Sequence, residues 1–141
     1  MRDLVHSAHF VVRVDDAQKL VERVRTSVRF SSIAEIHAEY GAVVRALDTL
    51  DRARHVSLID LRASPSRNDP DYEQAVAQYH VALYRGFARN AVLVQTAAGK
   101  LQLLRIARDG HLTLEVFTDE AAARSWLVEG IPSRTPSRRP R

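Results

Sequence analysis

"HVSLIDLRASPSRNDPDYEQA", His55–Ala75, joins a short apolar run to a junction dense in hydrogen-bonding groups. The run His55–Leu61 is β-branched and apolar almost throughout, the composition of a strand covered on both faces. Asp69 followed by Pro70 reads as a helix N-cap and a first-turn proline. The carboxylate accepts a free amide, and the proline lacks an N–H that would have no partner there. Asp71 and Glu73 then set negative charge against the positive end of the helix dipole. A strand buried on both faces and leading into a capped helix is the first half of a β–α–β unit, which implies a parallel sheet.

The same grammar extends in both directions. Upstream, "FVVRV" (Phe10–Val14) alternates and predicts a strand. "KLVERVRTS" (Lys19–Ser27) allows two readings: Ala17, Leu20, Val21 and Val24 fit a helical face, while the valine content also fits a hairpin. Ser32 with Glu35 forms a capping box. Ile33, Ile36, Tyr40, Val43, Leu47 and Leu50 then predict an amphipathic helix of about five turns. Downstream, Tyr72, Val76, Tyr79, Leu83 and Phe87 form the buried stripe expected of one helix. "NAVLVQT" (Asn90–Thr96) is a second strand of the two-face-buried kind. "AAGKLQLLRIARDG" predicts a helix closed by Gly110, "HLTLEVF" (His111–Phe117) a strand, and Thr118 or Asp119 the cap of a last helix ending before Gly130. The expectation is a single α/β domain over residues 1–130, with a mixed, mostly parallel sheet of about five strands and about four helices.

Composition narrows the function classes. The chain has 141 residues, 45% hydrophobic and 27% charged, with no cysteine. Disulfides, thiolate catalysis and Cys-zinc sites are therefore excluded. No run approaches the roughly 20 apolar residues of a membrane span, and the first residues lack the apolar stretch of a signal peptide, so a cytoplasmic location is expected. The net charge is +4, yet Arg134, Arg138, Arg139 and Arg141 are four of the 21 basic residues, leaving 17 against 17 acidic ones in residues 1–130. The basicity belongs to a Pro/Ser/Arg tail, residues 131–141, whose composition predicts disorder and no specific nucleic-acid binding.

The element order, together with "LIDLR", "RNDP..E", "AVLVQTAAGKLQ" and "VFTDEAAARSWL", resembles the STAS-like domain (sulfate transporter and anti-sigma-factor antagonist) in its small bacterial stand-alone form. The resemblance covers residues 8–128, and CRAL-TRIO lipid-binding domains are a nearby reading of the same layout. It implies a non-enzymatic regulatory module with a protein partner; weak homodimerisation is also compatible with it. Anti-sigma-factor antagonists carry an Asp-Ser-Ser-Gly segment whose serine is phosphorylated at the start of the helix after this strand. Here Asn68, Asp69 and Pro70 stand at that point, and the nearest hydroxyls are Ser64 and Ser66, the two candidate phosphorylation sites. A phosphoryl group there would face Asp69, Asp71 and Glu73, with Arg62 and Arg67 to compensate.

No catalytic or metal motif competes with this reading. "TAAGKL" lacks the spacing and the hydroxyl of a phosphate loop. The six histidines show no metal-ligand spacing within one helix, and no cofactor is implied. Asp60 ends a buried strand, where a carboxyl is either a base with a raised pKa or the partner of Arg62. Topology then selects a site, since ligands of open α/β sheets gather at the carboxyl ends of strands. That rule brings Asp60, Arg62, Arg67 and Asn68 towards Thr96, Gly99 and Lys100, a set suited to an acidic partner surface. The alternative is a domain binding a small anionic ligand or a lipid. With only four Phe and one Trp, no large internal pocket is expected in so small a core.

The cap reading is directly testable. Asp69→Ala should cost about 1 kcal/mol in urea denaturation. Unchanged stability would remove the capping role.

Overall fold

The computed structural model describes residues 1–65 and 69–132. Ser66, Arg67 and Asn68, and the tail from residue 133 onward, lie outside the described residues. Six strands form one sheet in the order of the chain: β1 (Arg2–His6), β2 (Phe10–Asp15), β3 (Leu20–Arg25), β4 (Val56–Asp60), β5 (Arg89–Leu93) and β6 (Glu115–Phe117). The pairs β1–β2 and β2–β3 are antiparallel, whereas β3–β4, β4–β5 and β5–β6 are parallel. Five helices connect and flank them: α1 (Ile33–Leu47), α2 (Pro70–Ala77), α3 (His80–Tyr84), α4 (Ala97–Asp109) and α5 (Glu120–Glu129).

Sequential strand order explains the layering. Successive right-handed crossovers running in one direction put all their helices on one face of the sheet. One core cluster accordingly joins Phe10, Val12, Val14, Val21, Ile59 and Val92 to Ile36, Tyr40 and Val43 of α1 and Leu83 of α3. The helix after the last strand covers the other face, where Leu20, Val56, Leu58, Ala91 and Leu93 meet Ala123 and Leu127 of α5. β4 is buried on both faces, as its composition requires. β2 alternates buried and open residues because α5 reaches only the parallel half of the sheet.

The caps form as the sequence predicts. Ser32 Oγ accepts the Glu35 amide at 3.1 Å, and Asp69 and Asp119 accept the Asp71 and Ala121 amides at 3.0 and 3.1 Å. The Glu35 carboxylate instead takes the Ser31 amide at 2.7 Å, one residue earlier than in a reciprocal capping box.

Several elements differ from the sequence expectation. β1 is an additional edge strand, held by pairs of Arg2 with Asp16 and Arg13 with Asp3 and blunted by a register shift between Asp3 and Val5. "KLVERVRTS" is the second hairpin arm: Asp15 Oδ1 accepts the Gln18 amide at 3.1 Å and closes the turn that contains Ala17. α1 stops at Leu47, short of Leu50, which still packs on the core from the turn beyond. The stripe from Tyr72 to Phe87 is divided between α2 and α3. Its break falls at Tyr79, whose ring stacks on Tyr40 at 5.5 Å and whose hydroxyl meets His37 Nδ1 at 2.7 Å, so contacts with α1 set the position. Phe87 lies beyond α3, 5.1 Å from the guanidinium of Arg52. The last strand is only Glu115–Phe117, because His111 adopts a left-handed φ of 53° after α4 and Leu112 bonds back to Ala107 O at 2.8 Å. Ile131, placed with the tail by composition, packs against the α5 cluster.

The two-sided core has a mutational signature. Ile59→Ala should cost about 2–5 kcal/mol by calorimetry or urea midpoint. Leu101→Ala, at a residue 70% exposed on α4, should stay within about 0.5 kcal/mol. Similar costs at both positions would contradict the assigned layers.

Candidate functional site

The alternation of β3 sends Val21, Arg23 and Arg25 to the face covered by α1 to α4, and Leu20, Glu22 and Val24 to the other. Both arginines are buried, with 3% and 2% of their surface exposed. They form part of a cavity of about 500 Å³ between α2, α3 and α4, at the carboxyl ends of β3, β4 and β5. Tyr72 and Val76 come from α2, His80 and Tyr84 from α3, and Gly99 and Leu103 from α4. The sequence expectation concerned a large internal pocket, and this cavity is a half-open cleft between the covering helices. The covering helices contribute tyrosines and branched aliphatics at an angle to the sheet and leave space above β3.

The two guanidinium groups are held differently. Arg25 Nη1 donates to Thr26 O and Val28 O, both at 2.7 Å, and its charge lies 4.5 Å from the centroid of Phe30. Phe30 stacks on His9 at 4.3 Å, and His9 Nδ1 contacts Glu39 at 2.7 Å. Arg23 lies 5.4 Å from the centroid of Tyr84. Arg23 Nη2 and Arg25 Nε are buried without a hydrogen-bond partner among the described residues. Among the described residues, no Asp or Glu lines the cavity.

The other titratable walls add little charge near neutral pH. Burial, and then the charge of Arg23, pulls the His80 pKa down. Burial pushes the Tyr40 phenol up to about 12. Among the described residues, Arg23 and Arg25 are the lining cations without an ion pair.

Among the residues singled out from the sequence, Arg62, Ser64, Thr96 and Gly99 line the same cavity. Arg62 is already paired: it meets Asp60 through Nε–Oδ1 at 3.0 Å and Nη2–Oδ2 at 2.8 Å, and Glu120 at 2.9 Å. Glu120 also accepts from Arg124 at 2.8 Å, and Arg124 reaches Glu22 at 2.9 Å. The chain of charges ties the end of β4 to α5 and β3. It also settles the two readings of Asp60, whose pKa lies below the ordinary carboxylate range through its hydrogen bond from Arg62, the reverse of a raised base. Thr96 caps α4 by accepting the Gly99 amide at 3.0 Å. Gly99 lies in close contact with the preceding strand segment, where a Cβ would stand 3.6 Å from Val94. Lys100 is exposed and outside the cavity lining. Arg67, Asn68 and Ser66 lie outside the described residues.

Sequence reasoning missed Arg23, Arg25 and Tyr84. The available signal was the alternation of Val21, Arg23 and Arg25, visible only on the hairpin reading. A second cavity of about 300 Å³ adjoins the first along Tyr84 and Leu112. There Asn90 Nδ2 donates to Tyr84 O and Thr113 O, while its Oδ1 is buried without a partner among the described residues.

The Asp60–Arg62 pair predicts an acid-limb effect. A carboxyl whose folded pKa is depressed adds stability above its unfolded value, near pH 4, and loses it as pH falls through the folded pKa. Arg62→Ala should shift the Asp60 carboxyl titration upward by NMR and should destabilise the protein more at neutral pH than in acid. An unmoved titration would show that the pair does not control Asp60.

With this geometry in place, comparison with solved structures identifies the architecture. A crystal structure of an uncharacterized protein from the DUF3478 family with a SpoIIAA-like fold, from Shewanella loihica PV-4, superposes with a TM-score of 0.63. The match covers 87% of this chain and 97% of that one, at 13% sequence identity. No protein-family model and no curated protein matches the chain. At that identity the likeness concerns the backbone, and this protein has a SpoIIAA-like, STAS-like α/β fold.

Proposed function

We propose that this protein is a non-enzymatic regulatory module of the STAS-like type whose state is set by a small organic anion bound over β3. The observation that carries the reading is Arg23, a buried cation without a carboxylate partner among the described residues. Burying an uncompensated charge costs several kcal/mol, and a bound anion supplies the missing counter-charge. The cavity volume falls within the usual range of small-molecule sites, roughly 300–1,000 Å³. Its tyrosine and aliphatic walls suit a ligand with an apolar body.

The site lies where the topology rule places ligands, but on buried cations instead of the loop charges. Arg62, committed to Asp60 and Glu120, is a poor candidate for gripping an acidic partner surface. Supporting a binding role over hydrolysis, Ser64 and His80 share the cavity with no hydrogen bond between them among the described residues. Nucleophile activation needs such a contact with a base. No helix among the described residues is long and apolar enough to cross a membrane. A protein partner that reads the ligand-bound state remains part of this proposal, since regulation needs a recipient.

The test is a thermal melt of the wild type and Arg23→Met, each with and without heptanoate. Removing an unpaired buried charge is expected to stabilise the ligand-free protein by about 1–4 kcal/mol. Heptanoate should raise the melting temperature of the wild type only. A variant less stable than the wild type, together with a wild type insensitive to heptanoate and to other organic anions, would overturn the reading.

A further inference from the structure

The anion site has more charge and more donors than a carboxylate needs. Arg23 and Arg25 stand at i and i+2 on one face of β3, so their Cα atoms are roughly 7 Å apart and both side chains line the same cavity. Each guanidinium offers N–H groups in a planar fork, and a carboxylate has only two oxygens to receive them. Arg25 has committed Nη1 to two backbone carbonyls, and its Nε is buried with no partner among the described residues. Arg23 Nη2 is likewise unpartnered, and no hydrogen bond or ion pair engages the rest of its guanidinium among the described residues.

The surroundings leave this charge standing. Among the described residues no acidic side chain lines the cavity, and Arg62 at its edge is neutralised by Asp60 and Glu120. The amino end of α4 reaches the cavity at Thr96 and Gly99, so the positive end of a 13-residue helix adds to the two arginines. Beyond these groups the lining turns apolar and aromatic, with Leu61, Val76, Leu103 and Ile106 beside the tyrosines.

We infer that the ligand carries a tetrahedral dianionic head, that of a phosphate monoester, bridged by Arg23 and Arg25, with an apolar body lying against α2 and α4. The inference rests on the anion-binding reading above and deepens it. Two fixed positive charges without acids call for a charge of about −2, and a phosphate monoester supplies that with three strong acceptor oxygens. One tetrahedral head carries enough acceptor oxygens to serve both guanidiniums, where a planar carboxylate fills only one fork.

The experiment compares one hydrocarbon chain carrying three heads. Hexyl phosphate, hexyl sulfate and heptanoate are titrated into the full chain by calorimetry at about pH 8, where the phosphate monoester is fully dianionic. Inorganic phosphate serves as the head alone. Hexyl phosphate is expected to bind at least about tenfold more tightly than the other three. Arg23→Gln and Arg25→Gln, checked for folding by circular dichroism, should each reduce that preference. Equal affinity for the phosphate, the sulfate and the carboxylate would overturn the dianion while leaving an anion site in place. Inorganic phosphate binding as tightly as its hexyl ester would overturn the apolar body. No binding by any of the four, with unchanged melts for Arg23→Met, would remove the anion site itself. The ligand ranking is read on the wild type, so a misfolded variant does not spoil it.

Discussion

β3 is hydrogen-bonded on both sides, antiparallel to β2 and parallel to β4, and the rest of the structure is arranged around that double pairing. It is where a meander of hairpins becomes a series of crossovers. A strand paired on both edges cannot turn about its axis, so its alternation is strictly enforced. Val21 has to face the main core, and Arg23 and Arg25 therefore face it too. The arginines are inside because the strand has no freedom to present them elsewhere.

The interior accommodates the two charges by different means. Arg25 is half satisfied by the carbonyls of Thr26 and Val28 and by the face of Phe30, which is itself braced by His9 and Glu39. Arg23 lies against the ring of Tyr84 and has no ion pair or side-chain hydrogen bond among the described residues. The same fold shows that it can neutralise charge when the residues allow. Asp60, Arg62, Glu120, Arg124 and Glu22 form a connected set on the opposite side of the strand ends. One side of β3 thus has its charges paired within the protein, and the other holds buried cations beside a cavity, without a carboxylate partner among the described residues. The contrast gives the functional reading its direction.

The cavity also depends on how the covering layer is divided. A single helix from Tyr72 to Phe87 would have laid a continuous stripe along the sheet. The break at Tyr79, anchored to His37 and Tyr40 of α1, lets α2 and α3 cover different parts of the sheet and leaves space beneath α4. Arg52 secures the end of α3 by donating to Ala82 O and Arg85 O at 2.7 and 2.9 Å while pairing with Asp48. These contacts are structural supports that shape the cavity, and Tyr40 among them is part of its lining.

By itself, the sequence determined everything that depends on neighbours in the chain. The caps at Ser32, Asp69 and Asp119, the closure at Gly110, the buried runs of β4 and β5 and the STAS-like element order all follow from interactions over a few residues or from one-dimensional patterns of burial. Topology also pointed to the strand ends, where the cavity lies. The tertiary structure decided the remainder. β1 is a polar edge strand that exists through pairing with β2, and the helix break at Tyr79 is made by α1, more than thirty residues away in the chain. The identity of the site belongs to the same class. In sequence, Arg23 and Arg25 look like ordinary charged residues of an ambiguous segment, while Arg62 and Lys100 look available. Only the packed sheet and helices bury the first pair, neutralise Arg62 and leave Lys100 in solvent, because burial and charge pairing are set by residues distant in the chain.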